Sequence, residues 1–488
     1  MIFEDLRDFI AESKRLGELE EVDGADWDTE LGAITELAAE KRGPALLFDN
    51  IKDYPKGFRV LSNLFGSYKR SALCLGVPTD LKPLQMLDAW RNKIKEFKPV
   101  PPREVGTGPV KENILTGKDV DLNKFPAPKW HEFDGGRYIG TGTSCITRDP
   151  DEGWTNLGAT RCAIMDKNHF SVAIAPGHHC RMMIDKYHSR GKPAPISMVL
   201  GEDPVTYYPS GITLTGWGTS EYDFSGWARG KPLDVVRGET NDLLIPATAE
   251  IVLEGEIAPP QEVPTVMDGP FGEWTGHYDK GSAFVCKVTG ILHRDDPVIL
   301  GQPPMRPPAP WHFAIPLTAG LIWNALERAD VPNVTGVWIG LEAWAPLWMS
   351  ISIKQAYGGH AKQAALAAMA CRSGCYGGKY VVVVDDDIDV SDINDVMWAV
   401  MARSNVKNAD IVHGVWTTPA DDASYTEAQL QDRDIVSSRL IIDACYPYNH
   451  KVPLGGQNRN SQELREITLK KWSPLLARGD VQEVKYRK

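Results

Sequence analysis

The chain has 488 residues, 42% of them hydrophobic and 24% charged, with a formal net charge of -12. These proportions describe a globular protein with a sizeable core and room for two or three domains. The acidic balance, with no Lys/Arg-rich block to offset it, argues against nucleic-acid binding, and every apolar run stops well short of a bilayer span.

The opening Met1-Ile-Phe-Glu4-Asp5 carries acids where a signal peptide needs a basic flank. The cysteines at 74, 145, 162, 180, 286, 371, 375 and 445 are too scattered for a secreted disulfide framework. Both features point to a cytoplasmic protein with reduced thiols. Cys371 and Cys375 are spaced C-x3-C, but no second Cys/His pair lies near them to complete a zinc site.

Residues 1–20 read as one amphipathic helix, with Ile2, Phe3, Leu6, Phe9, Ile10 and Leu16 at helical spacing. A second helix over 28–41 precedes a short buried strand, Ala45-Leu-Leu-Phe48. The Pro-rich Lys98-Pro-Val-Pro-Pro-Arg103 reads as a linker, ending a first α/β unit near residue 105. From about 110 to 300, short β-branched and aromatic runs alternate with turn residues. Arg161–Met165 and Phe170–Ala175 form a hairpin, and Ile196–Leu200, Glu250–Leu253 and Ala283–Val288 are further strands. That texture suggests an antiparallel barrel or sandwich, interrupted by one helix at 180–190. Beyond 315 the chain returns to α/β, with helices near 315–328, 359–371 and 391–403 and a strand at Val334–Ile339. Tyr380-Val-Val-Val-Val384 reads as a buried parallel strand ending in Asp385-Asp386-Asp387. A terminal helix covers Glu463–Trp472. No internal repeat is visible.

The middle region concentrates the chemistry. In Asp268-Gly-Pro-Phe-Gly-Glu273-Trp-Thr-Gly-His277-Tyr278, two carboxylates lie five residues apart. Gly269-Pro270 breaks helix and strand alike, so a sharp turn is expected there to bring Asp268 and Glu273 together, with Phe271 and Trp274 as apolar walls. Paired carboxylates in a dry cleft suit general-acid work. Asn, His and Glu side chains at 156, 178–179 and 221 form a plausible ligand set for Mn²⁺ or a similar cation. The N–H groups of 157–161 are candidates to hold a phosphate.

The order Asn156…Arg161, His179, Ser220-Glu221-Tyr…Ala228-Arg229-Gly230, Pro246-Ala247…Glu250…Glu254-Gly255 and Gly269-Pro-Phe-Gly-Glu273 resembles the UbiD-type decarboxylases, aromatic acid branch. Tyr357-Gly-Gly-His360-Ala-Lys362, Val384–Val390 and Asp395-Val-Met-Trp398-Ala extend the match over nearly the whole chain. The resemblance implies reversible decarboxylation of an aromatic or heteroaromatic acid through a covalent adduct with prenylated FMN, made by a separate flavin prenyltransferase. It implies Asn156, His179 and Glu221 as ligands of Mn²⁺, with K⁺ nearby, and a cofactor lined by Asn156, Leu157, Gly158, Ala159, Thr160, Arg161, His178, His179 and Glu221. Arg161, Asp268 and Glu273 would be the catalytic triad, with Glu273 protonating the product carbon. Asp268 stands where many members have Glu, one methylene longer. His178 stands where some have Gln. A phosphate-gripping Lys of the fungal branch falls on Ser373, beside Arg372. Substrate choice would lie with Arg306, His312, Ile315 and Trp416.

The expected architecture is an N-terminal α/β unit (1–105), a split β-barrel flavin domain (106–312), a C-terminal α/β oligomerisation domain (313–458) and a helical tail (459–488), in a homodimer or hexamer. Two rival readings remain at this point. Asp385-x-Asp387 at a strand end also resembles the metal-binding edge of nucleotide-sugar transferases, and a flavin protein can serve assembly without catalysis. The latter would be expected to lose Arg161 or Glu273.

Overall fold

The structure, a computed structural model, describes residues 3–212, 216–306, 315–340, 347–375, 377–416, 424, 436–449 and 460–476. The chain forms two compact units, one from residues up to 321, the other from 322–339, 347–417 and beyond 436.

In the first unit a helix over Leu6–Arg15 buries Leu6 and Phe9, and Asp5 caps it by accepting the Asp8 N–H at 2.9 Å. The expected 1–20 helix ends early because Gly17 turns left-handed (φ 68°), and the chain re-emerges as a strand at Leu19–Asp23. That strand pairs in parallel with Ala45–Asp49, which pairs antiparallel with Arg59–Ser62. Val298–Leu300 then adds in parallel to Arg59–Ser62, so this four-stranded sheet draws on both ends of the unit. The 98–103 segment is packed rather than loose: the Val100 N–H donates to Asp223 O, and Arg103–Glu104 pairs with Asp234–Val235.

The middle region folds into a nine-stranded sheet. Its path runs Thr155–Ala159, Thr143–Arg148, Ala194–Leu200, Ile251–Ile257, Tyr278–His293, His169–Val172, Cys162–Ile164. Val266–Gly272 and Asn113–Thr116 also pair with the long strand Tyr278–His293. The two ends of the path are consecutive in sequence, separated only by Thr160 and Arg161. Two residues span roughly 10 Å between flanking Cα atoms at most, so the sheet must curl until its ends lie side by side. A single bridge, Gly140 to Cys162, lies at this seam, and no ladder joins Thr155–Ala159 to Cys162–Ile164. The barrel is therefore split rather than closed. Its core holds Phe170, Val172, Ile196, Leu253 and Ile291, with Ile184 from the helix His179–His188.

The second unit is a five-stranded sheet ordered Val334–Ile339, Trp348–Ile353, Tyr380–Asp385, Val436–Ala444, Asp410–Trp416. Tyr380–Asp385 is parallel to both neighbours, and Val381 to Val384 are fully buried, as a continuous valine run requires. Helices His360–Ala370 and Ile393–Arg403 pack on this sheet. Beyond it a helix covers Gln462–Leu476, with non-helical backbone at Trp472.

Candidate active site

Arg161 sits in the seam of the split barrel. Its Nε–H donates to Asp268 Oδ2 at 2.8 Å, Nη1 to Glu273 Oε1 at 2.6 Å, and Nη2 to Asp279 Oδ2 at 3.1 Å. The guanidinium lies over the Phe271 ring, 5.0 Å from its centroid. The shorter Asp268 side chain thus reaches Arg161, and its other oxygen accepts the Ser171 hydroxyl at 2.9 Å. Side-chain exposure is 16% for Arg161, 1% for Asp268, 10% for Glu273 and 26% for Asp279. Burial opposes the Arg161 charge, but the fields of Glu273 and Asp268 outweigh it and raise its pKa above the ordinary arginine value.

The sharp turn expected at Gly269-Pro270 is absent. Val266–Gly272 is a strand paired only with Tyr278–His293 among the described residues, and the register shifts between Asp268 and Phe271. Proline is tolerated on an edge strand at a bulge, and Gly269 (φ 98°) takes the left-handed backbone there. The reversal falls later, where the Glu273 N–H donates to His277 O at 2.8 Å and the Gly276 N–H to Glu273 O at 2.9 Å. Asp268 lies before the bulge and Glu273 at the start of the hairpin turn, and both meet Arg161.

Two residues that the sequence reading passed over hold this hairpin. Buried Asp134 accepts the Gly272 N–H at 2.9 Å through Oδ1, and lies 3.1 Å from His131 Nδ1 through Oδ2. The His131 ring fills the space that a side chain at 272 would need: a Cβ there would come within 2.7 Å of Nδ1. His131 also meets Phe271 edge-on, and Tyr138 packs on the other ring contact of Phe271 at 4.0 Å. Burial, with the field of Asp268, pushes the Tyr138 phenol well up, so it stays neutral. The signal in the sequence was His131-x-x-Asp134 before Gly135-Gly136, a local clamp with no catalytic spacing of its own.

A second locus lies on the adjoining strand. Asn156 and Leu157 are buried in Thr155–Ala159, and the Leu157 N–H donates to Glu221 Oε2 at 2.8 Å. This N–H is thereby committed to a carboxylate; by strand alternation the Ala159 N–H points the same way. Glu221 opens the helix Glu221–Arg229, whose first turn is closed by a Ser220–Asp223 capping box. His179 opens the helix His179–His188. Its ring is held edge-on between Trp154, 5.6 Å away, and Trp217, 5.3 Å away. Each tryptophan lies just before the segment that carries Asn156 or Glu221. Glu221 is thus tied to the strand of Asn156 through the Leu157 N–H, and His179 lies against the tryptophans that precede Asn156 and Glu221. A Cβ on Gly158 would lie 3.3 Å from Cys180 Sγ and 3.5 Å from Asn156 Nδ2, which explains a glycine at this close approach. Burial pushes the His178 pKa down, so it is neutral at pH 7. Thr160 Oγ1 donates to Ala173 O at 2.7 Å and pins the seam.

The remaining candidates lie on separate elements. Arg306 is exposed at the end of a described stretch, Ile315 begins the helix Ile315–Arg328, and Trp416 ends the strand Asp410–Trp416. His312 lies outside the described residues. Arg372 and Ser373 follow the helix His360–Ala370. Asp387 is held by a two-point ion pair to Arg403 at 2.8 and 2.7 Å. Asp385 accepts from Gln355 and from the Tyr446 N–H, each at 2.8 Å. The strand-end aspartates thus serve the second unit's own hydrogen bonding. The Cys371 and Cys375 thiols donate to backbone carbonyls.

Three family descriptions match in chain order: the 3-octaprenyl-4-hydroxybenzoate carboxy-lyase N-terminal domain at 10–90, its Rift-related domain at 103–307 and its C-terminal domain at 312–444. The chain is 33% identical over 473 residues to pyrrole-2-carboxylic acid decarboxylase of Pseudomonas aeruginosa, covering 91% of each chain. The UbiD-class enzyme HmfF of Pelotomaculum thermopropionicum, in complex with FMN, superposes with a TM-score of 0.83 at 29% identity, over 96% of this chain and 100% of that one. An evolved dimeric form of HmfF in complex with prFMN gives 0.80 at 28% identity, over the same shares. Vanillic acid decarboxylase of Sedimentibacter hydroxybenzoicus gives 0.82 at 27%, over 98% and 100%. With all three domains of one family matched in order, the chain belongs to the UbiD family and is a carboxy-lyase.

Proposed function

We propose that this enzyme catalyses reversible, non-oxidative decarboxylation of an aromatic or heteroaromatic carboxylic acid with prenylated FMN as cofactor. The observation that carries the reading is the Arg161–Asp268–Glu273 constellation, five residues along one segment from Asn156. Five residues reach at most roughly 17 Å when fully extended. A reach within that limit suits a cofactor anchored by its phosphate at one end and reactive at the other.

The residues present fit the group. Asn156, His179 and Glu221 would hold Mn²⁺ beside the flavin phosphate, with K⁺ nearby and the two helix N-termini favouring the phosphate charge. Bound there, the prenylated flavin supplies the electron sink for the carbon that loses CO₂. Arg161 has five N–H donors, and its three carboxylate bonds leave two to orient the substrate carboxylate. Phe271 and Trp274 keep water away from that end of the site. Glu273 then delivers the proton that takes the place of CO₂, and recovers it from solvent.

Relatives acting on pyrrole-2-carboxylic and vanillic acid support a planar acid as substrate. Arg306, His312, Ile315 and Trp416 are assigned to its recognition. We assign residues 1–105, 106–312, 313–458 and 459–488 to the N-terminal, flavin-binding, oligomerisation and tail regions of a cytoplasmic homodimer or hexamer. The cofactor would come from a separate flavin prenyltransferase. The nucleotide-sugar reading is disfavoured because Asp385 and Asp387 are committed to Arg403, Gln355 and Tyr446. A non-catalytic assembly role is disfavoured by the intact Arg161–Glu273 pair.

The test is co-expression with a flavin prenyltransferase, followed by cofactor mass, absorbance and CO₂ release from a panel of aromatic and heteroaromatic acids. Prenylated FMN with turnover that Glu273→Gln reduces at least ~100-fold is expected. Protein that retains no flavin in the presence of Mn²⁺ overturns the reading.

A further inference from the structure

The ion-pair network on Arg161 contains one carboxylate more than the triad. Asp279 lies on the strand Tyr278–His293, directly across from Phe271. Cross-strand partners share a face, so Asp279 projects to the side on which Arg161 covers the Phe271 ring. Two residues on, the same face carries Gly281 opposite Asp268. Lys280 lies between them and faces the other side by alternation. The register thus delivers a third acid to Arg161 and directs the neighbouring cation away.

We propose that Asp279 is a positioning residue of the decarboxylation site, whose charge beside Arg161 keeps the transferable proton on Glu273. This rests on the assignment of Glu273 as proton donor. One guanidinium faces three carboxylates, and the like charges favour retention of a proton by the group as a whole. Where it sits follows from the surroundings. Asp268 already accepts the Ser171 hydroxyl through its second oxygen. Asp279, at 26% exposure, has water. Glu273, at 10%, is drier, and a proton there is the least costly.

The other groups facing this cluster are the Ser171 hydroxyl and Cys162 thiol beside Asp268, the Tyr138 phenol over Phe271, and the His131–Asp134 pair under Gly272. Tyr278 and His277 adjoin the hairpin turn. Each decarboxylation converts a carboxylate and one proton into a C–H bond and CO₂. Glu273 is therefore emptied once per turnover and must reload from solvent, and a neighbouring negative charge favours the reloaded form.

The experiment is the pH profile of kcat/KM for flavin-loaded wild type, Asp279→Asn, Asp279→Ser and Asp279→Glu, with flavin content and melting temperature recorded for each. Removing the charge is expected to move the basic limb, where Glu273 loses its proton, to lower pH by about one unit, and Asp279→Glu is expected to restore it. Activity that falls equally at every pH, with the limb unmoved in both neutral variants, overturns the proposal and leaves Asp279 a prop for Arg161. Glu273→Gln, run alongside, separates the two assignments. If it keeps wild-type turnover, the assignment of Glu273 fails and this inference with it; if it is inactive while the limb stays fixed, only the role of Asp279 fails.

Discussion

Asp134 accepts the Gly272 N–H at 2.9 Å, a bond between positions 138 residues apart that sets where the Glu273 hairpin begins. The same carboxylate holds His131 Nδ1. Asp134→Ala leaves both groups without their acceptor, which costs about 2–3 kcal/mol of stability and lets the hairpin shift. A kcat loss of roughly 10–100-fold is expected, with Asp134→Asn recovering part of it. Melting curves and single-turnover rates check both effects; wild-type rates in Asp134→Ala would remove the clamp from the account.

Gly272→Ala places a methyl group within 2.7 Å of the His131 ring, which Asp134 keeps from yielding. Overpacking of about 1–3 kcal/mol is expected. Removing the ring should relieve it, so Gly272→Ala combined with His131→Ala should be more stable than the sum of the single changes, a coupling that a double-mutant cycle measures.

Glu202 is buried, and Ser144 Oγ donates to one of its oxygens at 2.6 Å. Burial, reinforced by Asp203 and opposed by the Ser144 bond, raises its pKa to about 8, against about 4.3 for an unfolded glutamate. Between those values the folded state binds the extra proton, so stability falls as pH rises through the window and the full loss is felt above pH 8. The wild-type melting temperature should therefore drop between pH 5 and pH 9 relative to Glu202→Gln, by a difference of up to a few kcal/mol in stability. Parallel melting curves for the two proteins would rule this out.

His179 is wedged between Trp154 and Trp217, which precede Asn156 and Glu221 in the chain. His179→Ala is expected to cut bound Mn²⁺ at least ~10-fold, and flavin content with it, while circular dichroism stays native-like. Elemental analysis and cofactor mass provide the readout. Full manganese in the variant would move the metal elsewhere.

On the helix Ile393–Arg403, Met397, Trp398 and Met401 are exposed, and Val406 follows at 86% exposure. Exposed apolar side chains at helical spacing are usually covered by a partner. Met401→Glu with Val406→Glu is expected to shift the assembly to monomer in light scattering at micromolar protein; an unchanged mass places the interface on another surface.

Much of the fold was legible because its signals are local. The valines at 381–384 announced a buried parallel strand. The 161–165 and 170–175 runs did form a hairpin, as strands Cys162–Ile164 and His169–Val172. The Gly-Pro reading misled because proline bars a central strand but not a bulged edge, and only the sheet order tells which strand is an edge.

Sequence alone determined the residue types, their order and the family they belong to, including Arg161, Asp268 and Glu273 as one constellation. The resemblance it carries also groups Asn156, His179 and Glu221 as an expected ligand set. Tertiary structure decided how those groups are arranged. The two-residue connection at Thr160–Arg161 makes the sheet curl, which puts Arg161 in the seam. The cross-strand register brings in Asp279, and the distant Asp134 holds the hairpin. Strand pairing and sheet curvature are set by contacts far apart along the chain, and a one-residue slip of register would have turned Asp279 to the opposite face.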